Sequence, residues 1–164
     1  AGEGWSHRDH PALVRAAFAD FGGLARVLLN ALSEVYLWGL FRHPMAEYWF
    51  QDHSVLIGDA AHPMLPFLAQ GANMALEDAW VLSRALRLHG ATRQAFQRYQ
   101  SLRQARVKKV VATAQRNARN YHLSAPLTRW VAHSALRGLG AVAPRAILKR
   151  FDWLYRFNPD TGLP

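Results

Sequence analysis

The chain has 164 residues and no cysteine. That absence excludes a disulfide frame, a thiolate metal site and a cysteine nucleophile, and it fits a reducing, cytoplasmic compartment. No apolar run approaches the roughly 20 residues that span a bilayer, so no membrane partner is expected. The opening AGEGWSHRDH lacks the basic-then-apolar pattern of a signal peptide and does not start with Met. It reads as an internal segment, which makes the chain a fragment of a longer protein. His7 and His10 have no metal-like spacing, and no metal site is expected. Acidic residues are scarce in the second half: residues 81–164 hold 2 Asp/Glu against 16 Lys/Arg, whereas residues 1–80 hold 9 against 4. Such a basic half is either a solvated helix face that offsets an acidic partner segment, or a nucleic-acid surface centred on residues 93–119.

What is present is mostly helical. Pro11 suits a first turn, and Leu13, Val14, Ala17, Phe18 and Phe21 share one face, which predicts a helix over 11–21 that Gly22-Gly23 breaks. A second short helix is expected over 24–32. The β-branched and aromatic run 35–41 predicts a strand, and 54–57 a second, buried one. Residues 72–88 read as a long helix with Ala72, Ala75, Leu76, Ala79, Leu82 and Leu86 inward, stopped by Gly90. Thr92 is placed to cap the next helix, which runs to about Tyr121. Phe96, Tyr99, Leu102, Val107, Val110, Val111, Ala114 and Ala118 take its inner face; Arg93, Arg98, Arg103, Arg106, Lys108, Lys109, Arg116 and Arg119 cover the rest. Pro126 and Pro144 bracket a third helical piece, and a short helix is expected near 145–155.

Residues 54–83, SVLIGDAAHPMLPFLAQGANMALEDAWVLS, carry the chemistry. The apolar run ends at Gly58-Asp59, a loop with Pro63, Pro66 and Gly71 follows, and a helix opens near Ala72. A carboxylate at a strand end can accept hydrogen bonds from sugar-like hydroxyls; alternatively Asp59 only caps its turn. The free N–H groups of Gly71, Ala72 and Asn73 favour negative charge at the helix start. Gly71 permits close backbone approach, and it is equally a plain helix-start glycine. His62 reads as a loop-bracing hydrogen-bonder rather than a base, and Glu77-Asp78 as structural acids.

The order and spacing of GDAAHPMLPFLAQGANMALEDA resemble the second flavin-binding motif of FAD-dependent aromatic-ring monooxygenases, the salicylate-hydroxylase-like group. YLWGLFRHPMAEYWFQDHSVLIGD, YHLSAPLTRW and FDWLYRFNP resemble the flanks of that motif and the carboxyl-terminal helices of the same group. The resemblance implies an α/β FAD/NAD(P)-binding fold for the parent, of which this fragment is the mostly helical part with two or three strands. It implies three regions: 1–53 ending a substrate domain, 54–88 contacting FAD, and 89–164 forming carboxyl-terminal helices. It also implies roles. Asp59 holds a ribityl hydroxyl; the amides of Gly71, Ala72 and Asn73 face the N1/C2-carbonyl edge of the isoalloxazine; Pro66 lies beside the ring. Met64, Leu65 and Phe67 either line an apolar substrate pocket or simply pack the loop. Phe67, where some pyridine-ring hydroxylases carry a polar residue, favours a carbocyclic phenolic acid.

The implied activity is hydroxylation of a phenolic or aromatic acid with NADH or NADPH and dioxygen, through a flavin C4a-hydroperoxide. The partners are a small aromatic substrate and dioxygen, with no nucleic acid; no catalytic base is assigned within the chain. The family's Gly-x-Gly-x-x-Gly and Asp-Gly motifs are absent, so the fragment alone is expected to be inactive. The competing readings are a basic helical nucleic-acid-binding module and a non-catalytic, flavoprotein-derived assembly domain.

Overall fold

The computed structural model describes residues 4, 6–41, 43–121, 123 and 125–160, with the backbone alone at 119–121 and 147. It divides into two compact units, Ala1–Phe41 and Arg42–Pro164.

In the first unit, β1 (Arg8–Asp9) pairs antiparallel with β2 (Val35–Tyr36), in the register Arg8 to Tyr36 and Asp9 to Val35. Between them lie α1 (Pro11–Ala17) and α2 (Gly23–Asn30). His10 Nδ1 accepts from the Ala12 amide, so an imidazole caps α1 ahead of Pro11. The Arg15 guanidinium donates to the carbonyls of Leu29, Asn30 and Leu32, which closes the otherwise unpaired end of α2. The expected strand over 35–41 shrinks to two residues opposite the short partner Arg8–Asp9, and the Leu37 amide continues the pairing by one bond to the His7 carbonyl at 2.8 Å.

The second unit begins its regular structure with a tight hairpin of β3 (Phe50–Gln51) and β4 (Ser54–Val55). Asp52 turns it at φ +50, a conformation that Asp tolerates better than most residues. The predicted buried strand over 54–57 is therefore short. Leu56 and Ile57 stand 38% and 40% exposed, since among the described residues only β3 pairs with β4. Four two-residue strands thus replace the two or three longer ones expected.

Two long helices build the core: α3 (Gly71–His89) and α4 (Arg93–Tyr121). Gly90 ends α3 at φ +66, and Thr92 Oγ1 accepts from the Ala95 amide to start α4. Met74, Val81 and Ala85 of α3 pack with Ala95, Tyr99, Val107 and Val110 of α4, around the fully buried Trp49. The inner face expected for α4 holds. That of α3 is rotated: Leu76 is 69% exposed and Ala79 is exposed, while Asp78 is buried. A period count alone placed the stripe one residue off, because a polar residue takes the centre of the buried face. Arg103, assigned to the outer face of α4, is also fully buried; the Arg119 side chain lies outside the described residues.

Three further helices follow: α5 (Pro126–Val142), α6 (Pro144–Lys149) and α7 (Asp152–Tyr155). The single helix expected over 145–155 is split at Arg150–Phe151. The two carbonyls Trp153 O and Leu154 O are drawn instead to the Arg106 guanidinium, at 3.0 and 3.1 Å. No described helix is long and apolar enough to cross a membrane.

Candidate functional site

Gly58 opens a 3-10 turn, Gly58–Ala60, at φ +56. A Cβ there would meet Ala75 Cβ at 2.9 Å, so both the backbone conformation and the close approach of α3 require glycine. Its N–H donates to Asp78 Oδ2 at 3.0 Å. The turn leaves Asp59 exposed on the surface, and among the described residues its carboxylate has no hydrogen-bond or ion-pair partner. It therefore does not cap the turn.

A second 3-10 turn, Pro66–Leu68, leads through Ala69 to α3. Ala69 adopts the left-handed region at φ +51, ψ +36, which costs a non-glycine residue about 1–2 kcal/mol. The strain reverses the chain so that Gln70 is buried and Gly71 starts the helix. Gln70 stands where a capping Ser, Thr, Asp or Asn would be expected, but it makes no cap bond. Its Oε1 accepts instead from Asn73 Nδ2 at 3.2 Å. Among the described residues nothing accepts from the amides of Gly71, Ala72 and Asn73, whereas the Met74 amide already bonds Gln70 O.

Asp59 and this bare helix start come together. A methyl group built on Gly71 would sit 3.7 Å from Asp59 Oδ1 and 4.0 Å from Met64 Cγ. The result is an exposed acceptor beside three free donors at the positive end of a 19-residue helix. Pro66, Phe67 and Ala69 lie on the rim of a concavity of about 470 Å³, which Asn117, Phe151 and Tyr155 complete. Phe67 faces that space. Met64 packs on the core, and Leu65 is half-buried without lining the concavity.

Beneath the site runs a buried ionic network. Asp78 accepts from His62 Nε2 at 2.5 Å, from Gly58 N and from Arg103 Nε at 2.7 Å. Arg103 also reaches Glu77 and the Met74 carbonyl; Arg106 grips both oxygens of Glu77 at 2.7 Å. Burial by itself would raise the Asp78 pKa. The hydrogen bonds from His62, Arg103 and Gly58, with the Arg103 charge, outweigh it and hold the carboxyl below its ordinary value. His62 is fully buried against the Trp49 ring, at 5.1 Å between centroids, and so braces the loop rather than meeting solvent. Burial, reinforced by the Asp78 charge, pushes the Tyr99 phenol far above its usual range. Its hydroxyl stays a donor, to the Leu56 carbonyl at 3.2 Å.

Sequence reasoning missed Trp49 and Arg103. Nothing in the spacing distinguishes Arg103 from its solvated neighbours; the signal is the Glu77-Asp78 pair, which demands a buried cation. Among the described residues no cluster of His, Asp and Glu could hold a metal ion.

Residues 24–114 match a family described as FAD binding domain. The 3-amino-4-hydroxybenzoate 2-monooxygenase PtmB3 of Streptomyces platensis is 38% identical over 125 residues, covering 74% of this chain and 31% of that protein. The salicylate hydroxylase of Pseudomonas putida is 36% identical over 153 residues, 90% and 33% of the two chains. A solved structure, "Salicylate hydroxylase substrate complex", superposes with a TM-score of 0.76 at 26% identity, covering 97% of this chain and 38% of the other. The chain thus spans about a third of the length of these relatives. With more than half of its residues inside the matched region, the chain belongs to the FAD binding domain family.

Proposed function

We propose that this chain supplies the ribityl-and-ring part of the FAD site in an NAD(P)H-dependent monooxygenase that hydroxylates a phenolic or aromatic acid. The observation that carries the reading is the Asp59 carboxylate standing beside Gly71, next to three amides without acceptors. The residues fit the group. An ionised carboxylate accepts from sugar-alcohol hydroxyls. Amides at a helix start stabilise the negative charge of a reduced flavin, and the absence of a capping side chain leaves them free to do so. The relatives' names add the substrate class, since they describe hydroxylation of aminohydroxybenzoate and salicylate.

Bound FAD, reduced by NADH or NADPH, supplies the electrons with which dioxygen delivers one oxygen atom to the aromatic ring and the other to water. The chain's own residues hold and shield. Asp59 fixes the ribityl chain. Gly71, Ala72 and Asn73 face the N1/C2-carbonyl edge. Pro66 holds the loop rigid beside the ring, and Phe67, which faces the concavity, gives it an apolar wall against water, while Met64 and Leu65 pack the loop behind it. Residues 54–88 form the flavin-contacting region in this reading, with 1–53 closing the substrate region and 89–164 forming the helical end.

Riboflavin carries the ribityl and ring but no phosphate, so it isolates the half-site. Titrating the chain with riboflavin and following flavin fluorescence should show saturable binding. Asp59→Ala should weaken that binding about tenfold while leaving the circular dichroism unchanged. Equal affinity in the two proteins would sink the reading. With FAD, NADH and salicylate, the chain should give no turnover above the free-flavin background.

A further inference from the structure

Beyond the flavin half-site, a second concavity of about 490 Å³ lies between α4 and the α6–α7 junction. Lys109, Arg116 and Arg150 stand around it, Phe151 and Trp153 form its aromatic part, and none of its lining residues is acidic. Lys109 Nζ sits over the Trp153 ring at 4.1 Å, and Arg116 donates to Thr113 Oγ1 at 3.2 Å. Among the described residues none of the three cations has a carboxylate within ion-pair distance; the nearby Asp152 pairs with Arg156 instead. On α4, which carries Lys109 and Arg116, the neighbouring Arg103 and Arg106 are by contrast paired with Glu77 and Asp78. Three uncompensated cations around one hollow give it a positive potential, which water and salt screen in part and which a bound anion would offset directly.

We infer that this concavity is a binding site for a nucleoside diphosphate. A single carboxylate would leave two cations unneutralised, whereas a diphosphate carries enough charge and enough acceptor oxygens for all three. Phe151 and Trp153 are half-buried against the core, with Lys109 over the Trp153 ring, and the part of them that lines the hollow is the apolar side against which a base packs. The volume falls in the range of small-molecule sites. The site shares Asn117 and Phe151 with the hollow beside Pro66, but it uses neither Asp59 nor the start of α3. It stands or falls apart from the flavin reading.

The test is calorimetric titration of the purified chain with ADP, adenosine, inorganic pyrophosphate, salicylate and a short single-stranded DNA. ADP should bind, more weakly as salt is raised, and should exceed adenosine, pyrophosphate and salicylate. Arg116→Ala and Arg150→Ala are exposed changes that should leave the circular dichroism intact; each should weaken ADP binding about tenfold. The double variant should abolish it. ADP affinity unchanged in the double variant overturns the assignment. So does adenosine, pyrophosphate or salicylate binding as tightly as ADP. DNA bound more tightly than ADP, and lost in the same variants, overturns it in favour of a nucleic-acid surface.

Discussion

The amide of Gly58 donates to Oδ2 of Asp78, a residue twenty positions away on the buried face of α3. One carboxylate therefore fixes both the turn that presents Asp59 and the helix whose start faces it. His62 and Arg103 bind the same carboxylate, so loop, turn and both long helices converge on one side chain.

Removing the cation from that network should be costly. Arg103→Ala leaves Asp78 buried without its charged partner, a loss of about 3–5 kcal/mol. Lys108→Ala, on the exposed side of the same helix, should stay within about 0.5 kcal/mol. Urea unfolding followed by circular dichroism measures both, and comparable midpoints for the two variants would show that the network contributes nothing to the fold.

The same network makes part of the stability depend on acid pH. The folded-state pKa of Asp78 lies below its unfolded value of about 3.8. The group therefore stabilises the fold fully above that value and ceases to do so as pH falls through the lower, folded-state pKa. Unfolding free energy should be level from pH 7 to about 5 on this account and fall below pH 4, and Asp78→Asn should flatten that fall. An acid transition of equal steepness in the variant would contradict the assignment.

Two glycines of the site should behave oppositely. Gly58→Ala forces a side chain into left-handed backbone against Ala75, costing about 1–2 kcal/mol for the conformation alone. Gly71→Ala meets only ordinary contacts at 3.7 and 4.0 Å, so thermal melts should find it as stable as wild type. Riboflavin binding should nonetheless weaken in Gly71→Ala, since the methyl narrows the approach to Asp59.

Much of this was legible in the residues. Pro11, Gly90, Thr92 and Pro126 mark helix boundaries because their backbone chemistry acts locally, and each boundary appears where expected. The juxtaposition of Asp59 with Gly71 follows from a motif whose order encodes a turn, a stiff loop and a helix start. Long-range facts were not legible. The strands at 35–41 and 54–57 depend on partners elsewhere in the chain, and those partners are two residues long. Leu76 and Ala79 scored as core because periodicity counts apolar residues. The buried face of α3 is instead centred on Asp78, which only the opposing Arg103 makes tolerable.

The bare opening turn of α3 has a thermodynamic corollary. Whatever acceptor docks there provides the missing N-terminal lid, worth about 1 kcal/mol in ordinary helices. The liganded molecule is then sturdier than the free one, and occupancy will register as a rise in melting temperature before any reaction is attempted.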